Sequence, residues 1–523
     1  MIAGQDVSQG ISQDIPQRIS SATSPVPRGV RRALDAMRSN IGHNWRLSEL
    51  AAIAGTTGRT LQRQFLSFVG KTPRAVLRDI GLECARRELL QGAPGVTIMD
   101  VALRCGFSHC GRFSIAYRRR YGETPSQTLK RQAVFTATLG AMPSLFGSAR
   151  DRPAVAFGPI EATTDNLEMA ADIADDIAAA LTRAGISVAS SPRTAGYQLT
   201  GSMRGSGPQT RLTFRLIDTE TGGQLWAHRA DGLPCDETAT GEHLATRIAA
   251  ALQPCLRVAE IDRALRKPAS CLGAHDLALR AMPGVLSLDA DGNARALELL
   301  ERALDLDPDH PLAIALAAWA HVQRVVYHFT HSPLEERARS LALAHRASRL
   351  CNDATVLAVL GNALTLLNEV DAADVVIRKA LAVDGGSAWA WSRSGWIDVY
   401  KGDPQSGIER FKIALDLAPH DPLAFNSMVG IGCAHFNAGQ YADAAVWQER
   451  ALAEHPSSSW VHRTLCPAYV LAGEGPLARR SLGALRQHYP DLTVSEVERG
   501  MPPLPSSQCD LVFGALQEVG LPA

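Results

Sequence analysis

A chain of 523 residues is too long for one hydrophobic core and predicts roughly three or four domains. With 46% hydrophobic and 20% charged residues, its composition is that of a soluble globular protein and excludes a wholly disordered or fibrous one. Its 53 Lys and Arg balance 53 Asp and Glu, yet residues 28–132 hold 19 basic against 7 acidic side chains, an excess of 12 that the remainder must offset. A basic module on an acidic body predicts a polyanionic partner for that module. No stretch reaches the roughly 20 apolar residues that span a bilayer. The best candidate, AVFTATLGAMPSLFG (133–147), is short and broken by Pro143, so no membrane partner is expected. The N-terminus lacks a basic and then apolar leader, and ten scattered cysteines read as reduced thiols; both predict a cytoplasmic protein.

Residues 1–27 are rich in Ser, Gln and Pro and predict a disordered tail. From 28 to 132 the periodicity is helical, and two segments share one design. In LSELAAIAGTTGRTLQRQF (47–65), Leu47 to Ala54 form a short helix, Gly55 permits a tight turn and Thr57 caps the next helix. That helix turns Leu61 and Phe65 inward, and Arg59, Thr60, Gln62 and Arg63 outward. In VTIMDVALRCGFSHCGRFSIAYRRRYGETPS (96–126), Ile98, Val101 and Ala102 face inward, Gly106 turns, and Phe107 plugs the core. Ser108 then caps a helix whose inward residues are Phe113 and Tyr117. Helix, glycine turn, helix with a polar outer face is a helix-turn-helix, present twice.

The stretch RCGFSHCGRF (104–113) places Cys105, His109 and Cys110 close together, as a metal site would. A closed zinc site wants four ligands, and the turn sends Cys105 inward while His109 and Cys110 begin the outer face. No metal and no cofactor are therefore expected. A redox switch at Cys110, beside Arg112, stays open as an alternative.

The run I-x-x-V-A-x-x-x-G-F-S-x-x-x-x-F-x-x-x-Y-x-x-x-x-G-x-x-P, from Ile98 to Pro125, resembles the second helix-turn-helix of the AraC/XylS transcription regulators. The first segment and the bridge LRDIGLECARRELLQ (77–91) are similar to the same family, over about 100 residues in all. The resemblance implies an all-α double helix-turn-helix whose two recognition helices enter adjacent major-groove segments of double-stranded DNA, about 34–36 Å apart. It implies base reading by Arg59, Thr60, Gln62 and Arg63 on the first helix, and by His109, Cys110 and Arg112 on the second. Ser108, Ser114, Arg118, Arg119 and Arg120 would meet phosphate and set register. The sequence departs from the pattern at Gly58, which starts the first recognition helix, at Gly81, inside the bridging helix, and at Thr128, where an aromatic is usual. The reader also comes first, without the sugar-binding domain that precedes it in most relatives, so a sugar or aromatic effector does not carry over.

After a linker at 133–151 the pattern changes. PAVAFGPIE (153–161) reads as a strand, 166–185 as an amphipathic helix, and ISVASS, YQLTGSMRG, TRLTFRLID and QLWAHRA as short strands, the last two joined by TETGG (219–223). A helix at about 240–256 completes a small α+β domain, 152–265, with a largely antiparallel sheet. The run I-D-x-x-T-G-x-x-L-W, Ile217 to Trp226, makes this domain similar to the amino-terminal domain of TolB.

From 270 to 492 small residues recur in helical register. Ala296, Leu300, Ala303 and Pro308 are matched by Ala373, Ile377, Ala380 and Gly385, and then by Gly407, Phe411, Ala414 and Pro419. Two further copies run through Ala444, Gln448, Ala451 and Pro456, and through Ala478, Leu482, Leu485 and Pro490. The closing positions Gly385, Pro419, Pro456 and Pro490 are spaced by 34, 37 and 34 residues, which resembles the tetratricopeptide repeat and implies an α-solenoid. A weaker copy, stretched around His328, fits between 311 and 352, and residues 493–523 are left as a C-terminal tail.

The expected protein is thus multidomain: a double helix-turn-helix, a small α+β domain and an α-solenoid. No P-loop, H-E-x-x-H or G-x-S-x-G motif is present, so catalysis is not expected. The function expected is that of a bacterial one-component, sequence-specific transcription regulator with a ligand- or protein-sensing C-terminal region. Its partners would be double-stranded DNA and RNA polymerase, with a peptide on the repeats and a homodimer left open. The alternative is a repeat-based signalling adaptor without sequence-specific DNA binding.

Overall fold

The computed structural model describes residues 27–40, 42–43, 45–69, 71–91, 97–107, 109–121, 124–129, 152–189, 191–205, 210–231, 237–350 and 352–523. The expected tail before residue 27, the linker 133–151 and Ser108 lie outside the described residues. The chain divides into two compact units, one built on the N-terminal helices and the other on the sheet and the repeats. Among the described residues no helix is long and apolar enough to cross a membrane.

The N-terminal unit contains α1 (Arg28–Ser39), α2 (Leu47–Ala54), α3 (Gly58–Val69), α4 (Pro73–Gln91), α5 (Ile98–Arg104) and α6 (Cys110–Tyr121). The turns between α2 and α3 and between α5 and α6 run through Gly55 (φ 69°) and Gly106 (φ 82°), a left-handed backbone that favours glycine. The apolar positions collect into two separate cores. Val30, Met37, Leu50, Leu61, Phe65, Val76 and Ile80 form the first, and Leu82, Ala85, Leu89, Val101, Phe113 and Tyr117 the second. Helix α4 therefore serves both, with Gly81 at the changeover.

In the second unit five strands, β1 (Ala154–Phe157), β2 (Ser187–Ala189), β3 (Tyr197–Arg204), β4 (Arg211–Asp218) and β5 (Gln224–Asp231), form one sheet in the order β2-β1-β3-β4-β5. The sheet is mixed: its two long ladders are antiparallel, as expected, and two short parallel pairings are added at β1. β1 pairs parallel with both β2 and β3, and only β3-β4 and β4-β5 are antiparallel. The helix Leu167–Arg183 carries the chain from β1 back to the start of β2, and such a crossover makes the pair parallel. Alternate residues of β3 and β4, among them Tyr197, Leu199, Phe214 and Leu216, bury one face against the helices Leu167–Arg183 and Glu237–Arg266.

Helix Glu237–Arg266 is longer than the 240–256 expected, because it also packs on the repeats. Gln253 Nε2 donates to Asp384 Oδ2 at 2.7 Å, and Arg257 Nη1 lies 3.0 Å from Asp421 Oδ2. Its C-terminal carbonyls are capped by Arg280, which donates to Ala264 O (3.0 and 2.8 Å), Leu265 O (3.3 Å) and Lys267 O (2.6 Å).

Six helical hairpins follow, beginning with Ala274–Leu286 and Ala290–Leu306 and ending with His462–Leu471 and Gly475–His488. These are tetratricopeptide-like repeats, and the recurring small residues sit where paired helices cross. Ala303, Ala373, Ala380, Ala444, Ala451 and Ala478 are wholly buried. In the stretched copy Ser340 takes this place and donates to Ala318 O at 2.7 Å. The segment expected as a tail carries two more helices, Val494–Gly500 and Ser506–Glu518. The first is capped reciprocally by Thr493 and Glu496, whose backbone amides bond each other's side chains at 2.9 and 3.2 Å.

Candidate nucleic-acid interface

Each candidate recognition helix is fixed by burial of one stripe. In α3, Leu61, Phe65 and Val69 anchor the helix, and Thr57 Oγ1 caps it by accepting from Thr60 N at 3.3 Å. Thr60 is thus half-buried and tied to the cap, whereas Arg59, Gln62 and Arg63 are exposed. In α6, Phe113 and Tyr117 are wholly buried. Phe107 packs against Phe113 with ring centroids 4.9 Å apart, so the turn residue plugs the core as its position predicts. Thr128 replaces the usual aromatic by chemistry: buried itself, it accepts a 3.1 Å hydrogen bond from the Tyr117 hydroxyl.

His109, Cys110 and Arg112 are exposed at the start of α6, and Arg118 and Arg119 are exposed toward its end. Arg59, Arg63, Arg112, Arg118 and Arg119 have no ion-pair partner among the described residues, so their donors are available to an anion. Arg120 differs, because its guanidinium lies 3.7 Å from Asp79, which also binds Lys71 Nζ at 2.6 Å. Ser114 Oγ donates back to Cys110 O at 2.9 Å, leaving its lone pairs outward. Two outward residues escaped the sequence reading: Leu66 (53% exposed) and Ile115 (73% exposed). Both lie one turn beyond the named readers, at positions 62–63 and 112, so the helical period contained the signal. Exposed apolar side chains on such a face suit the thymine methyl group.

The first turns are held by capping. Glu49 Oε2 accepts from Arg46 N at 3.0 Å, which with the nearby His43 draws its carboxyl below the usual range. Asp100 is lowered likewise by Thr97, whose hydroxyl donates to it at 2.6 Å.

Cys105 is buried, as expected, but not alone. Its sulfur, that of Cys84 and a carboxylate oxygen of Glu88 all lie within 4.8 Å of one another. The sequence reading missed this group because two members stand on the bridging helix. Glu88 is held by Arg104 Nη2 at 2.6 Å, and both thiols lie at hydrogen-bond range of its other oxygen, 3.8 and 3.9 Å. The Cys84 thiol beside it and burial push the Cys105 thiol far up. Through these bonds Cys84, Glu88, Arg104 and Cys105 tie α4 to the end of α5.

Known proteins are similar to this region of the chain. Residues 50–131 match the family described as a helix-turn-helix domain. The chain is 32% identical over 123 residues to XylDLEGF operon transcriptional activator 1 of Pseudomonas putida, covering 23% of this chain and 36% of that protein. It is 36% identical over 99 residues to activator 2 of the same operon and organism, 19% of this chain and 63% of that one. A solved structure described as a probable AraC family transcriptional regulator from Rhodopseudomonas palustris aligns with 33% identity and a TM-score of 0.19, covering 20% of this chain and 96% of that one. The chain thus spans about a third of the length of the first of these relatives. Its N-terminal module is an AraC/XylS-type DNA-binding domain.

Proposed function

We propose, from that domain as premise, that the chain is a one-component transcription regulator of the bacterial cytoplasm. Helices α3 and α6 dock in successive major-groove segments of its operator, and the repeat unit senses a ligand or protein and alters DNA binding or contact with RNA polymerase. The observation that carries this reading is the pair of helices, each fixed by a buried stripe, that turn Arg59, Arg63, Arg112, Arg118 and Arg119 outward without ion pairs among the described residues. In it, Arg63 and Arg112 read guanine, and Gln62 reads adenine or supports its neighbours. Arg59, Thr60, His109 and Cys110 supply the remaining base-edge contacts. Arg118 and Arg119 meet phosphate with Ser114, and Arg120 joins them on release from Asp79.

The test is selection of bound sequences from a random duplex library by the full-length chain, followed by salt titration on the enriched site. The expected site has two elements about one helical turn apart, and each phosphate contact contributes about −0.9 to the slope of log affinity against log salt. Replacing Arg63 or Arg112 with Ala should cost about 1–3 kcal/mol on the enriched site and relax preference at one element only. Absence of enrichment, or binding indifferent to salt, would leave the adaptor reading in its place.

A further inference from the structure

The repeat unit contains a pocket among the first helices of four consecutive hairpins: Pro311–Val326, Ala354–Leu366, Ala388–Lys401 and Ala424–Asn437. It is partly open to solvent, so a small molecule can reach its wall from outside. Most of its polar wall is satisfied internally. Asn426 Oδ1 accepts from Trp396 Nε1 at 2.8 Å, and Ser427 Oγ donates to Ser392 Oγ at 2.8 Å. Asp421, the carboxylate of the wall, lies 3.0 Å from Arg257, accepts from Trp389 Nε1 at 3.0 Å and from Leu423 N at 2.8 Å.

Three groups are left over. Trp319 Nε1 and Asn362 Oδ1 are buried without a hydrogen-bond partner. The Arg393 side chain is 7% exposed and has neither a hydrogen bond nor an ion pair among the described residues. Burial draws it down to about 10, so it remains a cation at neutral pH. Buried polar groups are almost always satisfied, and two unsatisfied ones beside an unpaired guanidinium in a single pocket point to something that binds there.

The surroundings set the sign of the missing partner. Asp421 is committed to Arg257 and cannot neutralise Arg393. Another buried guanidinium of the same unit, Arg463, has only neutral acceptors: Val326 O at 2.7 Å, Trp460 O at 3.3 Å and His328 Nε2 at 3.3 Å. Neither buried guanidinium therefore has a carboxylate partner among the described residues. One unpaired guanidinium calls for one negative charge, which favours a carboxylate over a dianionic phosphate. The rest of the wall, including Ala358, Val359 and Leu423, calls for an apolar body.

We propose that this pocket is the effector site: it binds a small monocarboxylate with an apolar body, the carboxylate on Arg393 and the Trp319 indole N–H, and a donor of the ligand on the Asn362 amide. This rests on the reading that the repeat unit is the sensor, and the assay separates the two. The full-length chain is screened by thermal shift and intrinsic tryptophan fluorescence against 6-hydroxyhexanoate, 4-hydroxyphenylacetate and indole-3-acetate, each beside its primary amide. At least one carboxylate should raise the melting temperature, with its amide inert. The Arg393→Met variant should bind that carboxylate at least tenfold more weakly while melting no lower than the parent without ligand. A panel without a binder, amides equal to acids, or binding that survives R393M overturns the site. Operator affinity is measured with and without the bound carboxylate. Binding that leaves operator affinity unchanged keeps the site and removes the sensor reading; an operator response to a different signal, with no carboxylate bound, does the reverse.

Discussion

At the scale of single residues, chemistry and position part company. Cys105, His109 and Cys110 are neighbours in sequence, yet the turn at Gly106 buries the first and exposes the other two. That separation was legible, because helical phase alone fixes which side chains face in. The partners of Cys105 were not legible, since Cys84 and Glu88 stand about 20 positions away on another helix. His328 is a similar case. It reads as one residue of a stretched loop, but it is buried against Arg463 at 3.3 Å, and burial with that charge pushes it down to about 3. Its folded value lies below the unfolded value near 6.5, so the unfolded chain binds the extra proton between those limits. Stability should therefore fall as pH drops from about 6.5, by at most roughly 1.4 kcal/mol per pH unit from this group. Urea melts of the full chain at pH 6.5 and 5 should show the loss, and His328→Gln should flatten it; an unchanged slope would assign the effect to other groups.

At the scale of elements, α4 shows what propensity misses. Gly81 reads as a defect in a helix, costing about 1 kcal/mol against alanine. In the fold, a Cβ there would stand 2.6 Å from Cys105 O and 2.9 Å from the Phe107 ring, so the glycine lets α4 meet the second turn. Gly81→Ala should therefore destabilise the reader by about 1–3 kcal/mol despite its better propensity. Faster hydrogen exchange in α5 and α6, with α2 and α3 unchanged, is the expected reading; a stabilised variant would refute the close contact. The repeats were legible for the opposite reason. Their constraint is local and recurs, so Ala373, Ala414 and Ala444 announce the helix crossings without knowledge of any partner. Strand order is a distant property, and alternation along β1 could not tell a parallel neighbour from an antiparallel one.

At the scale of the whole molecule, the second unit joins what reads in sequence as two domains. Arg257, on the helix that covers the sheet, pairs with Asp421 in the repeats, and both side chains are largely buried, 13% and 4% exposed. Removing the cation would leave a buried carboxylate unpaired, so Arg257→Ala should cost about 3–5 kcal/mol. Hydrogen exchange along a urea titration should show sheet and repeats losing protection together in the parent, and separately in the variant. A change below about 1 kcal/mol would mean that apolar contact alone joins them. The pocket of Trp319, Asn362 and Arg393 could not be read from sequence, because its lining comes from four hairpins and none of the three residues breaks the repeat pattern.

The helix Glu237–Arg266 bears on how such proteins can be taken apart and recombined. One face supplies Ala245, Ile248, Leu252 and Leu256 to the sheet core, another supplies Gln253 and Arg257 to the repeats, and Arg280 of the first repeat holds its last turn. A chimera spliced near residue 267 would strip one of those faces bare and uncap the end. The piece that can be exchanged intact is sheet plus repeats, so a transplanted repeat array must travel with the sheet that the sequence reads as a different domain.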